Sequence, residues 1–192
     1  SVTDFCRQLW SFYGLKSASV GTLGIRDSSQ KNYRKMKNNL TTLESSELNK
    51  QLSKLYDKQI SYVALEASSH GIIQNRLDGI NFNGAIFTNL SHDHLDWHRS
   101  KKKYVKSKFK IFINQTKYDL AFLDDINLKK LYKKYNFLGK LKYIKNNSIQ
   151  LSENKNRYLK LAANKNNIKF AYFISKIFKF RKKAFLNSLK SF

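Results

Sequence analysis

The chain has 192 residues, 41% of them apolar, which suits one domain or one and a fraction with a real core, so disorder is not the default. Its formal charge of +24 directs attention first to anionic partners, nucleic acid or a membrane surface. The single cysteine, Cys6, excludes an internal disulfide and any Cys-rich metal centre.

In chain order, Val2, Phe5, Cys6, Leu9, Trp10 and Tyr13 recur at helical spacing, and Gly14 is placed to end that helix. Residues 16–23 read as a strand closed by Gly24, and residues 27–39 as a polar, basic loop. Thr41-Thr42-Leu43-Glu44 fits a capping box ahead of a helix that carries Leu48, Leu52 and Leu55 on one face. Strands follow at 60–65 and 82–90, with a helix over 69–77 between them. Helix 101–113 turns Tyr104, Val105, Phe109 and Phe112 inward, strand 118–123 comes next, and helix 126–135 and strand 141–144 complete the alternation. Residues 146–166 are too polar to assign, and residues 167–179 and 183–189 read as two closing helices. Short apolar runs alternating with helices predict an α/β fold, a doubly wound and mostly parallel sheet.

The residues that can carry chemistry crowd into 63–108. Glu66 ends an apolar strand, where a carboxylate is costly unless it is paired or holds a cation; capping the helix that starts near Ser68 and Ser69 is the other account. His92, Asp93, His94, Asp96 and His98 could suggest zinc, yet H-x-H-x-x-x-H is no standard zinc spacing, and a solvated loop explains them as well. Gln74 and Arg76 suit gripping a carboxylate or phosphate, or form a plain surface pair. Lys108 is one lysine among many. In open α/β sheets ligands gather at the carboxyl ends of the strands, where these residues fall.

Their order and spacing resemble the central domain of the Mur ligases, most of all the tripeptide-forming members. Gly21-Thr22-Leu23-Gly24 resembles the family's G-T-L-G, and Leu40-Thr41-Thr42 its L-T-T-P, with Leu43 where proline is usual. Glu66-Ala67-Ser68-Ser69-His70-Gly71, with Gln74 and Arg76 in register, resembles E-V-S-S-H-G. Phe87-Thr88-Asn89-Leu90-Ser91 with Asp93-His94-Leu95-Asp96 matches F-T-N-L-S-x-D-H-L-D, and Tyr104 to Lys108 matches Y-x-x-A-K with Ser107 for alanine. Residues 1–115 carry the match; residues 116–192 agree only in general pattern.

The resemblance implies an ATP- and Mg²⁺-dependent amide ligase of peptidoglycan synthesis. Such an enzyme adds a third amino acid, meso-diaminopimelate or lysine, to UDP-N-acetylmuramoyl-L-alanyl-D-glutamate through an acyl phosphate. By the same resemblance Thr41, Thr42, Ser68, Gln74 and Arg76 hold the muramoyl dipeptide, and Glu66 and His94 hold Mg²⁺. Lys108 is implied to react with CO₂ to give a carbamate that also faces the metal. No G-x-x-G-K-[ST] occurs, so the ATP loop, the strand before it, the uridine-binding domain and the C-terminal domain are expected to lie outside these 192 residues. The isolated segment is then expected to be inactive.

Three further readings compete. One is a folylpolyglutamate synthase-like ligase, which the 68–76 stretch disfavours. Another is a gene remnant. The last is a basic nucleic-acid-binding module, for which the lysines would have to gather on one face. The lysines read instead as scattered over helical faces, in a chain with no proline and abundant Asn, Ile, Phe and Tyr, as A/T-rich codon usage would produce. The expected partners are therefore the substrates, without specific nucleic acid or membrane, around a monomer. No basic-then-apolar leader opens the sequence, and the apolar stretch 168–178 falls short of the about 20 residues a bilayer requires, so a cytoplasmic protein is expected.

Overall fold

A computed structural model of the chain describes residues 1–36, 40–88, 90, 100–144 and 156–191. They divide into two compact units, residues 1–66 with 147–192 and residues 67–146.

The first unit is built on α1 (Val2–Phe12), whose apolar stripe Val2, Phe5, Cys6, Leu9 and Trp10 is buried. It ends as its glycine predicts. Gly14 takes φ +74°, and Leu15 N–H reaches back to the Trp10 carbonyl at 2.9 Å, satisfying an end carbonyl of the helix. The strand expected over 16–23 is instead two strands, β1 (Ser17–Gly21) and β2 (Gly24–Asp27). They pair antiparallel around a two-residue turn, with Val20 opposite Ile25 and Gly21 opposite Gly24. The glycines on either side of Thr22-Leu23 allow the chain to reverse there, so the polar loop begins later than the composition suggests.

β3 (Tyr62–Leu65) pairs parallel with β1, Ala18 opposite Val63 and Val20 opposite Leu65, giving the order β2-β1-β3. The central strand β1 is almost wholly buried, whereas Val63 on the edge strand β3 is 36% exposed. α2 (Ser45–Asp57) buries Leu48, Gln51 and Leu55. The expected capping box does not form. The helix starts after Glu44 without a side-chain cap, because both threonine hydroxyls are used elsewhere.

Numbered in chain order after three helices of the second unit, α6 and α7 cover Arg157–Lys160 and Ala162–Ile177, and α8 covers Lys182–Ser188. α7 packs against α1 and begins five residues before the apolar periodicity does. The polar residues that obscure this region serve as caps: Asn156 accepts from Tyr158 N–H at 2.9 Å, and Asn164 donates to the Tyr158 carbonyl at 2.8 Å. Among the described residues no helix is long and apolar enough to cross a membrane.

The second unit holds a parallel sheet in the order β4-β5-β6, made of Gly84–Ile86, Leu120–Leu123 and Lys140–Tyr143. Ala121 sits between Ala85 and Leu141 in register. α3 (Ser69–Ile73), α4 (Lys101–Phe109) and α5 (Ile126–Lys134) accompany it. α3 is shorter than expected: the chain leaves the helix at Gln74, and Asn75 adopts φ +55°. The core is aromatic. Phe109 and Phe112 meet Phe87, Tyr132 and Phe137 at ring-centroid distances of 5.2–5.9 Å, above Ala121 and Leu123. Asp125 caps α5 by accepting from Asn127 and Leu128 N–H at 2.7 and 2.9 Å. The α/β class and parallel pairing follow expectation, with β2 the antiparallel exception.

Candidate metal and substrate site

β1 and β3 run parallel, so both deliver residues to one end of the first sheet. Glu66 continues β3, its N–H bonded to the Val20 carbonyl at 2.9 Å. Its side chain turns towards the β1–β2 turn. Carboxylate Oε2 accepts from both the backbone N–H and the hydroxyl of Thr22, each at 2.8 Å. Thr3 at the start of α1 donates to Oε1 at 3.4 Å and lies 2.6 Å from the Ser1 hydroxyl. The approach depends on Gly21, where an added Cβ would fall on the carboxyl group of Glu66.

Thr41 Oγ1 lies 3.0 Å from Thr22 Oγ1, and Thr42 donates its hydroxyl to the Glu66 main-chain carbonyl at 3.0 Å. Three of the expected residues, Glu66, Thr41 and Thr42, therefore come together. Around the carboxylate stand Thr22, Thr41 and Thr3, all hard oxygen donors of the kind Mg²⁺ prefers. Thr22 and Gly21 belong to the site without having been singled out. Their only signal was the Gly-Thr-Leu-Gly motif, and spacing alone does not say that a turn threonine will hold a carboxylate.

Glu66 does not cap the following helix. Ser68 does, its hydroxyl oxygen accepting from Gly71 N–H at 3.1 Å. In the second unit, Ser68 starts α3, exposed Gln74 ends it, and half-buried Arg76 follows one turn on, its N–H bonded to the Gly71 carbonyl at 2.9 Å. These three line one short helix and its exit turn, where hydroxyl, amide and guanidinium offer donors to an anionic ligand.

Lys108 is half-buried on α4, one turn after Tyr104. Its Nζ lies 4.7 Å from the Tyr104 ring centroid and 5.2 Å from that of Phe87, so two ring faces hold the ammonium. Ser107, in the place of the family's alanine, is buried, and its hydroxyl donates to the Tyr104 carbonyl at 2.6 Å. His94, with the rest of the 92–98 cluster, lies outside the described residues. Elsewhere in the first unit, burial pushes the Cys6 thiol up to about 12, so it is inert at neutral pH.

Comparison with known proteins bears on the family and the fold. A ligase named UDP-N-acetylmuramoyl-L-alanyl-D-glutamate--2,6-diaminopimelate ligase from Anaplasma marginale (strain St. Maries) is 47% identical over 114 residues, 58% of this chain and 23% of that protein. A protein of the same name from Rickettsia bellii (strain RML369-C) is 38% identical over 146 residues, 75% of this chain and 31% of that one. The chain thus spans less than a third of the length of these relatives. A solved structure of a ligase with this name superposes with TM-score 0.73 over all of this chain and 43% of that one, at 21% identity, which establishes the shared fold. The sequence profile of the Mur ligase middle domain matches residues 1–186, and the chain belongs to that family.

Proposed function

We propose that this chain is the middle domain of an ATP-dependent ligase that adds 2,6-diaminopimelate to UDP-N-acetylmuramoyl-L-alanyl-D-glutamate in the cytoplasm. The observation that carries the reading is the carboxylate of Glu66, fixed by Thr22 over Gly21 among the hydroxyls of Thr3 and Thr41. The names of the relatives support diaminopimelate over lysine as the added amino acid.

In this reading Glu66 and His94 hold Mg²⁺, with Thr22 keeping the carboxylate oriented. The bound ion supplies positive charge against the phosphoryl oxygens during transfer. Ser68, Gln74 and Arg76 hold the anionic muramoyl dipeptide through charge-assisted hydrogen bonds, and the family resemblance assigns Thr41 and Thr42 to the same ligand. Lys108, deprotonated, attacks CO₂ through its amine lone pair. A C–N bond forms, the proton leaves to water, and the resulting carbamate offers oxygen ligands where an ammonium would repel the ion. The γ-phosphoryl group passes to the D-glutamyl carboxylate with release of ADP. An amino group of the incoming amino acid then attacks the acyl carbon, and phosphate leaves as the amide forms.

The test uses the product of the open reading frame that contains this segment. With ATP, Mg²⁺, the muramoyl dipeptide and diaminopimelate, phosphate release should require all components and should exceed that with lysine. Glu66→Gln and Lys108→Ala should each lower kcat by about a hundred- to a thousandfold, on the scale of losing a group that stabilises transition-state charge. Added acetate or chloropropionate should partly restore Lys108→Ala by supplying a carboxylate. Phosphate release unaffected by either substitution would overturn the assignment. The 192 residues alone should release none.

A further inference from the structure

The positive charge is not spread evenly along the sequence, contrary to the reading of scattered lysines. Residues 126–192 contain 18 lysines and arginines against one acid, Glu153, and so carry +17 of the net +24. The 125 residues before them, nearly twice as many, carry only +7. A codon bias acting on the whole gene would not divide the chain in this way, and a charge asymmetry of this kind signals an anionic surface as partner.

Within the first unit the described residues 156–191 hold ten cations and no acid. Half of those cations fall in the connection from α7 to α8, in Lys176-Ile177-Phe178-Lys179-Phe180-Arg181-Lys182-Lys183. Lys176, Lys179, Arg181, Lys182 and Lys183 are all exposed. Helix stabilisation accounts for Lys176 alone, in the last turn of α7, where a cation suits the negative end of the helix. Arg181, Lys182 and Lys183 stand at the start of α8, the positive end, where cations are unfavourable. Their presence is a cost to the helix that folding does not explain.

The connection is also rigidly seated. Phe180 stacks on Tyr13 at 3.5 Å between ring centroids, and Phe178 lies 5.8 Å from Trp10 and 5.4 Å from Tyr62. Phe180 N–H reaches the Ser175 carbonyl at 2.9 Å. The rings anchor the connection to α1 and β3 while Lys179, Arg181, Lys182, Lys183 and Ile177, 43% exposed, stand out to solvent; the Lys176 ammonium lies over the Tyr172 and Phe173 rings at 4.8 and 4.9 Å.

We propose that the α7–α8 connection is a docking surface for an anionic lipid bilayer, which holds the protein peripherally at the membrane. Two observations favour lipid over nucleic acid. The half-buried aromatic rings of the connection are engaged with Trp10, Tyr13, Tyr62 and each other, so they are not presented as a row of exposed rings for bases to stack on. Four of the five cations are lysines, point charges suited to a diffuse field of headgroups, and the exposed apolar side chain between them is aliphatic. The inference is independent of the ligase reading, since no residue of the candidate metal and substrate site takes part.

The test is sedimentation of the 192-residue chain with phosphatidylserine-containing vesicles and with vesicles of phosphatidylcholine alone, at physiological salt. Binding is expected to the anionic vesicles only and to fall steeply as salt rises. The variant K179E/R181E/K182E/K183E should lose at least about a hundredfold in affinity, since each cation near the surface contributes roughly fivefold. The control K31E/K35E/K50E/K54E, which changes the same number of exposed charges elsewhere in the unit, should lose less than a third as much on a logarithmic scale. Should the first variant unfold by circular dichroism, K182Q/K183Q keeps the fold and should still lose about tenfold or more. Equal losses in variant and control would mean general charge attraction and overturn the proposal. Tighter binding to a random single-stranded RNA than to anionic vesicles, lost in the same variant, would overturn it in favour of nucleic acid.

Discussion

Glu66 in the first unit and Lys108 in the second are held by opposite means. The carboxylate accepts two directed hydrogen bonds from one residue, Thr22, in a space that exists because Gly21 has no side chain. The ammonium leans on the faces of Tyr104 and Phe87, whose attraction is weaker and less directional. The first arrangement fixes single atoms and fails when one of them is removed. The second depends on the volume and stacking of the aromatic core behind it, because Phe87 is held by Phe109 at 5.5 Å. Changes to rings should therefore be felt as packing losses in the second unit, and changes to polar groups as proton-linked losses in the first.

The largest effect expected is that of Phe109→Ala. Phe109 is 2% exposed and meets Phe87, Phe112, Tyr135 and Phe137 within 5.9 Å. Removing its ring should cost about 3–5 kcal/mol by chemical denaturation, the range for a large buried aromatic that leaves a cavity. A loss below about 1.5 kcal/mol would indicate that the site collapses easily and that Lys108 does not depend on this stack.

The polar counterpart is Asp27, 1% exposed at the end of β2. Burial acts to raise its pKa, but the hydrogen bonds from Ser29 and the Lys58 ammonium at 2.9 Å outweigh it, and the carboxyl is held below its ordinary value. A depressed folded pKa means that the carboxylate contributes stability above its unfolded value, near 4, and loses that contribution as the pH falls through the lower folded value. Asp27→Asn should destabilise by about 2 kcal/mol at pH 7, a modest figure because Lys58 is half exposed and screened by solvent. The difference from the parent chain should shrink when the same denaturation is repeated at pH 3. A difference that stays constant with pH would place the loss in packing rather than in the charge, and the contrast between the units would fail there.

Much of this architecture is legible in the sequence because local signals and tertiary demands coincide. The stripe of α1 with Gly14 behind it and the apolar run of β5 bury what their pattern predicts, and α5 buries Leu128 and Tyr132 of its periodic face but leaves Tyr135 44% exposed. The failures share a cause. Thr41-Thr42-Leu43-Glu44 has the composition of a capping box, yet Thr22 and Glu66 compete for the same hydroxyls and win, and helix α2 starts uncapped. The β1–β2 hairpin is hidden because Thr22 and Leu23 are not typical turn residues, and only the flanking glycines reveal it. Of the candidate site, residue types and strand ends were readable. The hold of Thr22 on Glu66 was not, since it joins positions 44 residues apart.

Ser107→Ala tests the contrast at its weakest point, where a polar group sits inside the aromatic unit. Ser107 is 4% exposed, and its hydroxyl donates to the Tyr104 carbonyl three residues back, a bond that competes with the helix's own. Alanine removes a buried hydroxyl together with its need for a partner and is the better helix former. The carbonyl lies within α4, where the helical pattern pairs it with the amide four residues on. The substitution should therefore stabilise the chain by roughly 0.5 kcal/mol, read as a small rise in denaturant midpoint with unchanged slope. A loss of about 1 kcal/mol instead would mean that the hydroxyl fixes the last turn of α4 and with it Lys108. The lysine would then be placed by a directed hydrogen bond, as Glu66 is, and the two sites would be held by the same kind of force.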